Sequence, residues 1–337
     1  MSNIVILGDI HLADTSEYKR ATSEAFLDWF ASWEQNTSDN YLILTGDLVD
    51  ICLLTGRVTD YLERFIASSR FKELHICVGN HDKKKILGID QLAYEFYARK
   101  TNVHYYSEIS EISINGKSVL MLPYYLGTND QGLTMTEYYS QLYKDPHYSQ
   151  YHDLVVGHFC DDEFSFSGAS DTVLNIDKLQ ERNGKVCLGH IHTRNINPGL
   201  FIGSTWACKK NENDPNRAAW IMDESGCWHE EKLPAFCEYL EVTYPGPLPE
   251  SKAMIPIYTV LNCASEQIAR SQYGDIYIRK TVAGENEYKN KQDTSISVDS
   301  VKGFDILEYF DTFWETSDIK DNKEAYTLCR QALEKRA

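Results

Sequence analysis

Five short apolar runs, each followed by a polar tip that contains a glycine, constrain the fold of this chain more than any other feature. Such runs are typical of strands that are buried on both faces. The carboxyl ends of the strands in an α/β sheet line the ligand crevice, so the tips are expected to meet there. The runs and tips are Ile4 to Leu7 before Gly8-Asp9-Ile10-His11, Tyr41 to Leu44 before Gly46-Asp47-Leu48-Val49-Asp50, Leu74 to Val78 before Gly79-Asn80-His81-Asp82, Leu154 to Val156 before Gly157-His158, and Val186 to Leu188 before Gly189-His190-Ile191-His192.

Helical patterns separate the early runs, and a hairpin follows them. Apolar residues recur at helical spacing over 26–33 and over 58–66. The dipeptide Asn115-Gly116 between two apolar segments predicts an antiparallel hairpin with a type I′ turn. The alternation of strands and helices therefore predicts an α/β fold around a mixed sheet.

The side chains at the tips indicate a metal site. Each tip alone has an ordinary explanation, because Gly, Asn and Asp also suit turns. Together they combine carboxylates, an amide and imidazoles without a thiolate, a mixture that suits Mn²⁺ or Fe²⁺ more than a structural zinc. Seven ligands are too many for one ion but suit two ions that share a ligand, the usual arrangement for phosphoester hydrolysis. The tips supply eight candidate residues, more than the seven ligands that two ions need: Asp9, His11, Asp47, Asn80, His81, His158, His190 and His192.

Composition narrows the class of protein. The 33 Lys and Arg against 50 Asp and Glu leave a net charge of −17, which by itself argues against a polyanion partner. Net charge says little about a single cleft, so nucleic acid stays open as a partner. Nine scattered cysteines without a C-x-x-C pair favour reduced thiols. Because no signal peptide or spanning apolar run is apparent, we expect a cytoplasmic protein that does not bind membranes.

The five tips resemble the calcineurin-like metallophosphoesterase superfamily, whose motifs run D-x-H, G-D-x-x-D, G-N-H-D/E, G-H and G-H-x-H. All five occur in this order over about residues 5 to 195. The resemblance implies a four-layer αββα sandwich that holds two divalent ions. It also implies that one ion is bound by Asp9, His11, Asp47 and His192, and the other by Asp47, Asn80, His158 and His190. His81 would then stabilise or protonate the leaving oxygen, and Asp82 would orient His81.

A narrower resemblance concerns the segments 201–206, 213–217 and 220–223, which look like the SbcD-type DNA double-strand-break nucleases, especially the recombination endonuclease subunits of T-even-like phages. This resemblance implies a Mn²⁺-dependent exonuclease or endonuclease, with Mg²⁺ or Fe²⁺ as alternative ions. It implies as partners DNA, as double-stranded ends or single strands, an SbcC-type ABC ATPase with a coiled coil, and a second copy of the chain. Asp50 stands where archaeal and eukaryotic members have His, which leaves a role of that His in doubt here.

Proline placement and periodicity predict the division of the chain. Five of the nine prolines fall between 234 and 256, and polar residues dominate 284–297. We predict a nuclease domain over 1–232, a small α/β capping domain over 237–285, a linker over 286–300 and a helix–loop–helix over 301–337. The aromatic stripe of Phe310, Phe313 and Trp314 favours docking of the last unit on the ATPase. A helical pattern at Leu92, Tyr94, Phe96 and Tyr97 is the candidate dimer interface.

Lys83, Lys84 and Lys85 follow the third tip, and Arg217 lies in a later motif loop. We expect these cations to contact the phosphate backbone, although a solvated loop explains the lysines equally well. Two other functions remain open: a phosphatase or phosphodiesterase acting on small nucleotides or phosphoproteins, and a non-catalytic scaffold. The intact ligand set argues against the scaffold.

Overall fold

A computed structural model describes residues 2–52, 54–86, 89–93, 100, 102–124, 137, 150–161, 173–174, 176–194 and 200–283. The chain divides into two compact units, residues 1–282 and 283–337. The predicted linker and helix–loop–helix lie outside the described residues, as do Tyr94, Phe96 and Tyr97. Within the described residues, no helix is long and apolar enough to cross a membrane.

Four helices and eighteen strands are formed by the described residues. The helices are α1 (Glu17–Ser32), α2 (Gly56–Ser68), α3 (Ile176–Arg182) and α4 (Glu266–Tyr273). The strands are β1 (Ile4–Leu7), β2 (Tyr41–Leu44), β3 (Glu73–Cys77), β4 (Lys83–Ile86), β5 (Ile89–Leu92), β6 (Val103–Tyr106), β7 (Ser110–Ile114), β8 (Lys117–Leu122), β9 (Leu154–His158), β10 (Cys160–Asp161), β11 (Val173–Leu174), β12 (Lys185–Gly189), β13 (Leu200–Phe201), β14 (Ala218–Met222), β15 (Trp228–Lys232), β16 (Cys237–Thr243), β17 (Ile255–Leu261) and β18 (Tyr277–Val282).

Two sheets carry all five predicted runs. The first sheet has the order β15-β14-β1-β2-β3-β6, with β1, β2, β3 and β6 parallel. The second sheet has the order β13-β12-β9-β8-β7, and its β7–β8 hairpin is antiparallel. At the hairpin turn Asn115 and Gly116 both have positive φ, which confirms the type I′ prediction. The fold is therefore a mixed α/β fold, as the sequence predicts.

The apolar runs are continuous because both faces of each central strand are buried. In β1, Ile4 and Ile6 share an apolar cluster with Val119, Met121 and Val156 of the second sheet. Val5 and Leu7 belong instead to the cluster that contains residues of α1 and α2. The two sheets thus contact each other through one layer of side chains, and helices cover the other face of the first sheet.

Helix α1 is anchored by one aromatic side chain. Phe26 is fully buried, and its ring lies 5.2 Å from that of Trp206, 5.6 Å from that of Phe236 and 6.2 Å from that of Phe65, centroid to centroid. Trp206 belongs to the loop after β13, and Phe236 directly precedes β16. The same ring therefore stabilises the helix, the loop and the approach to the third sheet.

The third sheet, β16-β17-β18, is entirely parallel and packs against α4 through its own apolar cluster. In chain order, β17 precedes α4, and β18 begins at Tyr277 after that helix.

Residues after the third tip form strands rather than a loop or helix. Lys83–Ile86 pairs in antiparallel fashion with Ile89–Leu92. The alternative explanation of a solvated loop at Lys83 to Lys85 is therefore wrong, because these residues lie in β4, and Leu92 ends β5 instead of lying in a helix. The local reason is the short connection, which allows the two segments to satisfy each other's backbone groups as a hairpin.

We expect Phe26→Ala to lower the free energy of unfolding by about 3–5 kcal/mol, because it removes a fully buried ring from an aromatic cluster. Urea unfolding followed by tryptophan fluorescence measures the change. Asp28→Ala on the exposed face of the same helix removes only a surface ion pair with Arg64 and serves as control, with an expected loss of about 1 kcal/mol or less. Equal losses in the two variants would contradict the anchoring role of Phe26.

Candidate metal centre

Strand order brings the five polar tips to one place. β1, β2 and β3 are parallel neighbours in the first sheet, and β9 and β12 are parallel neighbours in the second. Their carboxyl ends therefore lie at one end of the two contacting sheets. The predicted candidates Asp9, Asp47 and His158 are buried there, each at most 1% exposed.

The first ligand group consists of Asp9, His11, Asp47 and His192, whose potential ligand atoms all lie within 4.8 Å of one another. The Nε2 atoms of His11 and His192 are 3.0 Å apart. Nε2 of His11 lies 3.7 Å from Oδ2 of Asp47, and Nε2 of His192 lies 3.7 Å from Oδ2 of Asp9. Four donors thus converge on one point, as a single ion requires.

The second group surrounds Asn80. Nε2 of His158 and Nδ1 of His190 each lie 2.9 Å from Oδ1 of Asn80. Nε2 of His158 is also 3.3 Å from Oδ2 of Asp47. Asp47 therefore contacts both groups, which is the position that a shared ligand must have.

Outer hydrogen bonds select the imidazole nitrogens that face inward. Nδ1 of His158 lies 2.8 Å from the carbonyl oxygen of Thr45, which can only accept, so this nitrogen carries a proton and Nε2 is the nitrogen that faces the ligand groups. Nδ1 of His192 lies 3.0 Å from Oε1 of Glu212 and has the same arrangement with a carboxylate. Such outer contacts orient metal-binding histidines and fix their tautomer.

The backbone at the tips is strained and closely packed. His11, Asp47 and His190 have positive φ values of 53°, 50° and 80°, a region that is uncommon for residues other than glycine, although Asn, Asp and His adopt it more often than the rest. Each such residue costs about 1–3 kcal/mol and is found mainly at functional sites. Gly79 has no room for a side chain, because a Cβ atom there would collide with the carboxylate and backbone nitrogen of Asp47.

Electrostatics favour a cation among these groups. Burial opposes charge on His158, but the Asp47 and Asp9 carboxylates outweigh it and raise the pKa of His158 to about 9. Burial likewise opposes charge on His192, while hydrogen bonds with Cys208 and Glu212 raise its pKa to about 11. Burial and the neighbouring His158 lower the pKa of His190 to about 3. His158 and His192, the two imidazoles whose pKa is raised, therefore lie in a negative potential of the kind in which divalent cations bind.

The donors fit two divalent ions. They comprise two carboxylates, one amide oxygen and four imidazoles, with Asp47 in reach of both groups. The Nδ1 atom of His11 is buried without a hydrogen-bond partner and has only a 3.6 Å ion pair with Asp50. All seven predicted ligands are thus brought together, although the identity of the ions follows only from donor chemistry.

His81 lies beside the first group. Its backbone N–H donates to Oδ1 of Asp47 over 2.8 Å, and its ring centroid is 4.9 Å from that of His11. Nδ1 donates to the backbone carbonyl of Asp50 over 2.6 Å. This contact leaves Nε2 as the ring nitrogen available to a substrate oxygen.

Asp82 does not have the predicted orienting contact. Its carboxylate is fully buried and accepts from the backbone N–H groups of Gly79 and Val49, over 2.9 and 3.3 Å. Burial and the charge of Asp47 raise its pKa to about 7. The structure assigns the orientation of His81 to the Asp50 carbonyl, and Asp82 instead holds the turn of the third tip.

Among the residues predicted to contact DNA, the structure describes the side chains of Arg217 and Lys83. Arg217 is only 7% exposed, and its guanidinium donates to Ser204 and to the carbonyl of Glu212. It therefore stabilises the loop after β13, and the expectation of a phosphate contact by Arg217 is wrong. Lys83 is half-buried at the start of β4, and the side chains of Lys84 and Lys85 lie outside the described residues.

Glu212 is the functional residue that sequence reasoning missed. It ends a 3-10 turn, Lys210–Glu212, and is only 7% exposed. One carboxylate oxygen accepts from His192, and the other accepts from the backbone N–H groups of Cys208 and Lys209 over 2.9 and 3.0 Å. Glu212 lies twenty residues after His192 in the sequence, so no local pattern connects the two residues.

Comparison with known proteins identifies the class. The profile of the calcineurin-like phosphoesterase family matches residues 2–194, so the chain belongs to this family of metal-dependent phosphoester hydrolases. Among solved structures, a protein of unknown function from Aquifex aeolicus is similar at 15% identity, over 52% of this chain and 89% of that chain, with a TM-score of 0.31. No curated protein matches the chain.

We expect Glu212→Gln to weaken Mn²⁺ binding by about 10–100-fold, because the variant removes the charge that orients His192. Isothermal titration calorimetry on metal-free protein measures the affinity. Glu224→Gln, at an exposed position, is the matched control and should leave the affinity unchanged. Wild-type affinity in the Glu212 variant would contradict the positioning role.

Proposed function

We propose that this chain is a two-metal DNA phosphodiesterase, the nuclease subunit of an SbcC/SbcD-type recombination and repair complex. The observation that carries the proposal is the convergence of seven ligand side chains around Asp47, with His81 directly beside them. Mn²⁺ is the proposed ion, in keeping with the oxygen and imidazole donors. The contact between the two sheets supports the four-layer sandwich of the family, and the third sheet with α4 is the proposed cap.

The chain's own residues supply positioning and a proton. Asp9, His11, Asp47 and His192 would hold one ion, and Asp47, Asn80, His158 and His190 the other. When bound, the ions supply Lewis-acid chemistry, polarising phosphoryl oxygens and lowering the pKa of water. His81, held through Nδ1 by the Asp50 carbonyl, presents Nε2 to the leaving sugar oxygen and donates a proton to it.

A polymer substrate is supported by the shape of the site. The ligand groups open into a cleft of about 400 Å³ with an open mouth, lined by His81, His190, His192 and Lys209. An open cleft admits a chain that continues on both sides of the scissile bond. The similarity of segments 201–206 and 213–217 to SbcD-type nucleases supports DNA as that chain.

The net charge of −17 favours the alternative, a phosphatase or phosphodiesterase acting on small nucleotides or phosphoproteins, because phosphate backbones bind to cationic surfaces. Cleavage of end-labelled duplexes with Mn²⁺, compared with hydrolysis of nucleotide monoesters, separates the two functions. Hydrolysis of monoesters without DNA cleavage, with and without the ATPase, would establish the alternative.

We expect His81→Ala to lower the rate of DNA cleavage by about 10²–10⁴-fold, because it removes the proton donor. Mn²⁺ binding should stay nearly unchanged, since the seven ligands remain. Calorimetry and cleavage assays measure the two quantities. His229→Ala, an exposed histidine on β15, serves as control and should cleave normally. Cleavage at the wild-type rate by the His81 variant would contradict its role.

The proposal includes two partners: an SbcC-type ATPase bound by residues 301–337 and a second copy of the chain. Replacement of Phe310, Phe313 and Trp314 by Ser in the full chain should abolish co-purification with the ATPase, because docking depends on the aromatic stripe. Basal cleavage by the variant alone should persist. Asp311→Ser is the matched control, and undiminished co-purification of the triple variant would overturn the docking proposal.

A further inference from the structure

We propose that Cys208, together with His11 and His192, forms a binding site for a thiophilic divalent cation such as Zn²⁺ or Cd²⁺, and that this cation competes with the catalytic ion for both imidazoles. The ligand atoms of these three residues all lie within 4.8 Å of one another. The family motifs contain no thiolate, and Cys208 takes no part in the proposed hydrolysis.

The backbone of Cys208 is fixed on both sides. Its N–H donates to Oε2 of Glu212 over 2.9 Å, and its carbonyl accepts from the hydroxyl of Tyr239 over 3.1 Å. The same Glu212 carboxylate orients His192 through its other oxygen. One side chain thus holds both the backbone of Cys208 and the imidazole of His192, which fixes the Cys208 backbone relative to His192.

Space for a guest lies beside the thiol. A cavity of about 10 Å³ is bordered by His11, Cys208 and Tyr239, among other residues. A volume of this size accommodates about one water molecule, and a dehydrated zinc ion is smaller. Unfilled space of about the size of one ion therefore lies between Cys208 and His11, two of the three proposed ligands.

Ligand chemistry decides which ion uses the thiol. Thiolate and imidazole together favour Zn²⁺ and other soft cations, whereas Mn²⁺ prefers oxygen donors. On binding, the sulfur–metal bond replaces the S–H bond and the proton passes to solvent. The ion is then bound by His11 and His192, which the catalytic ion also needs. Thiophilic metals are therefore predicted to inhibit Mn²⁺-dependent hydrolysis.

Titration of the metal-free full chain with Cd²⁺ tests the site through the sulfur-to-cadmium charge-transfer absorption in the ultraviolet. The wild type should develop this band up to one Cd²⁺ per chain, and Cys208→Ser should lose it. His192→Ala, which retains the thiol, should show a weaker band at the same Cd²⁺ concentration. Thermal unfolding of each variant without metal checks that the fold is intact.

Two thiols serve as matched controls. Cys237 borders the same cavity but, among the described residues, does not belong to the group of convergent ligand atoms that contains Cys208, and Cys227 is exposed. Cys237→Ser and Cys227→Ser should both retain the band. An undiminished band in Cys208→Ser, or its loss in Cys227→Ser, would overturn the proposed site.

Inhibition is a second readout that rests on the proposed function. Added Zn²⁺ should inhibit Mn²⁺-dependent cleavage by the wild type, and Cys208→Ser should need a higher Zn²⁺ concentration for the same inhibition. Equal sensitivity of the two proteins would overturn the competition. Absence of any cleavage would refute the proposed function alone, since the Cd²⁺ spectrum does not depend on activity.

Discussion

The buried carboxylate of Asp47 is the contact on which the rest of the site depends. It accepts from the backbone of His81, lies near His158 and His11, and sits at a residue with positive φ. The backbone carbonyl of Asp47 also accepts from the backbone N–H groups of Ile10 and His11, and these bonds connect the second tip to the first. The His158, His11 and His81 charges outweigh burial and keep the pKa of Asp47 well below its usual range. Its position therefore sets the geometry of both ligand groups.

The loop after β13 connects this centre to the third sheet. Glu212 orients His192, and the side chain of the next residue, Asn213, is bonded to both the backbone N–H and the carbonyl of Tyr239 in β16. Arg217 closes the loop from inside by donating to Ser204 and Glu212. β16 is thus connected to the candidate ligand His192 through Asn213 and Glu212.

Sequence reasoning succeeded where physical signals are local. The runs that end at Leu7, Leu44 and Leu188 are strands because continuous apolar residues demand burial on both faces. It failed where a side chain bonds to buried backbone groups, a contact that no motif marks. Asp82 follows His81 directly, yet its carboxylate accepts from the backbone N–H groups of Gly79 and Val49. Arg217 donates to the loop carbonyls of Ser204 and Glu212. In both cases the need to satisfy buried polar groups outweighed the proximity or charge on which the prediction was based.

By itself the sequence determined the α/β class, the five strand tips and the seven candidate ligands. Hydrophobic periodicity, turn residues and ligand residue types are all properties of short segments of the chain. Only the tertiary structure decided how these residues meet. Strand order placed Asp47 between two ligand groups, and long-range hydrogen bonds that His158 and His192 donate to Thr45 and Glu212 selected the inward nitrogens of the two rings. The convergence of Cys208 with His11 likewise joins residues nearly two hundred positions apart. Such contacts depend on chain crossings and packing, which no local pattern encodes.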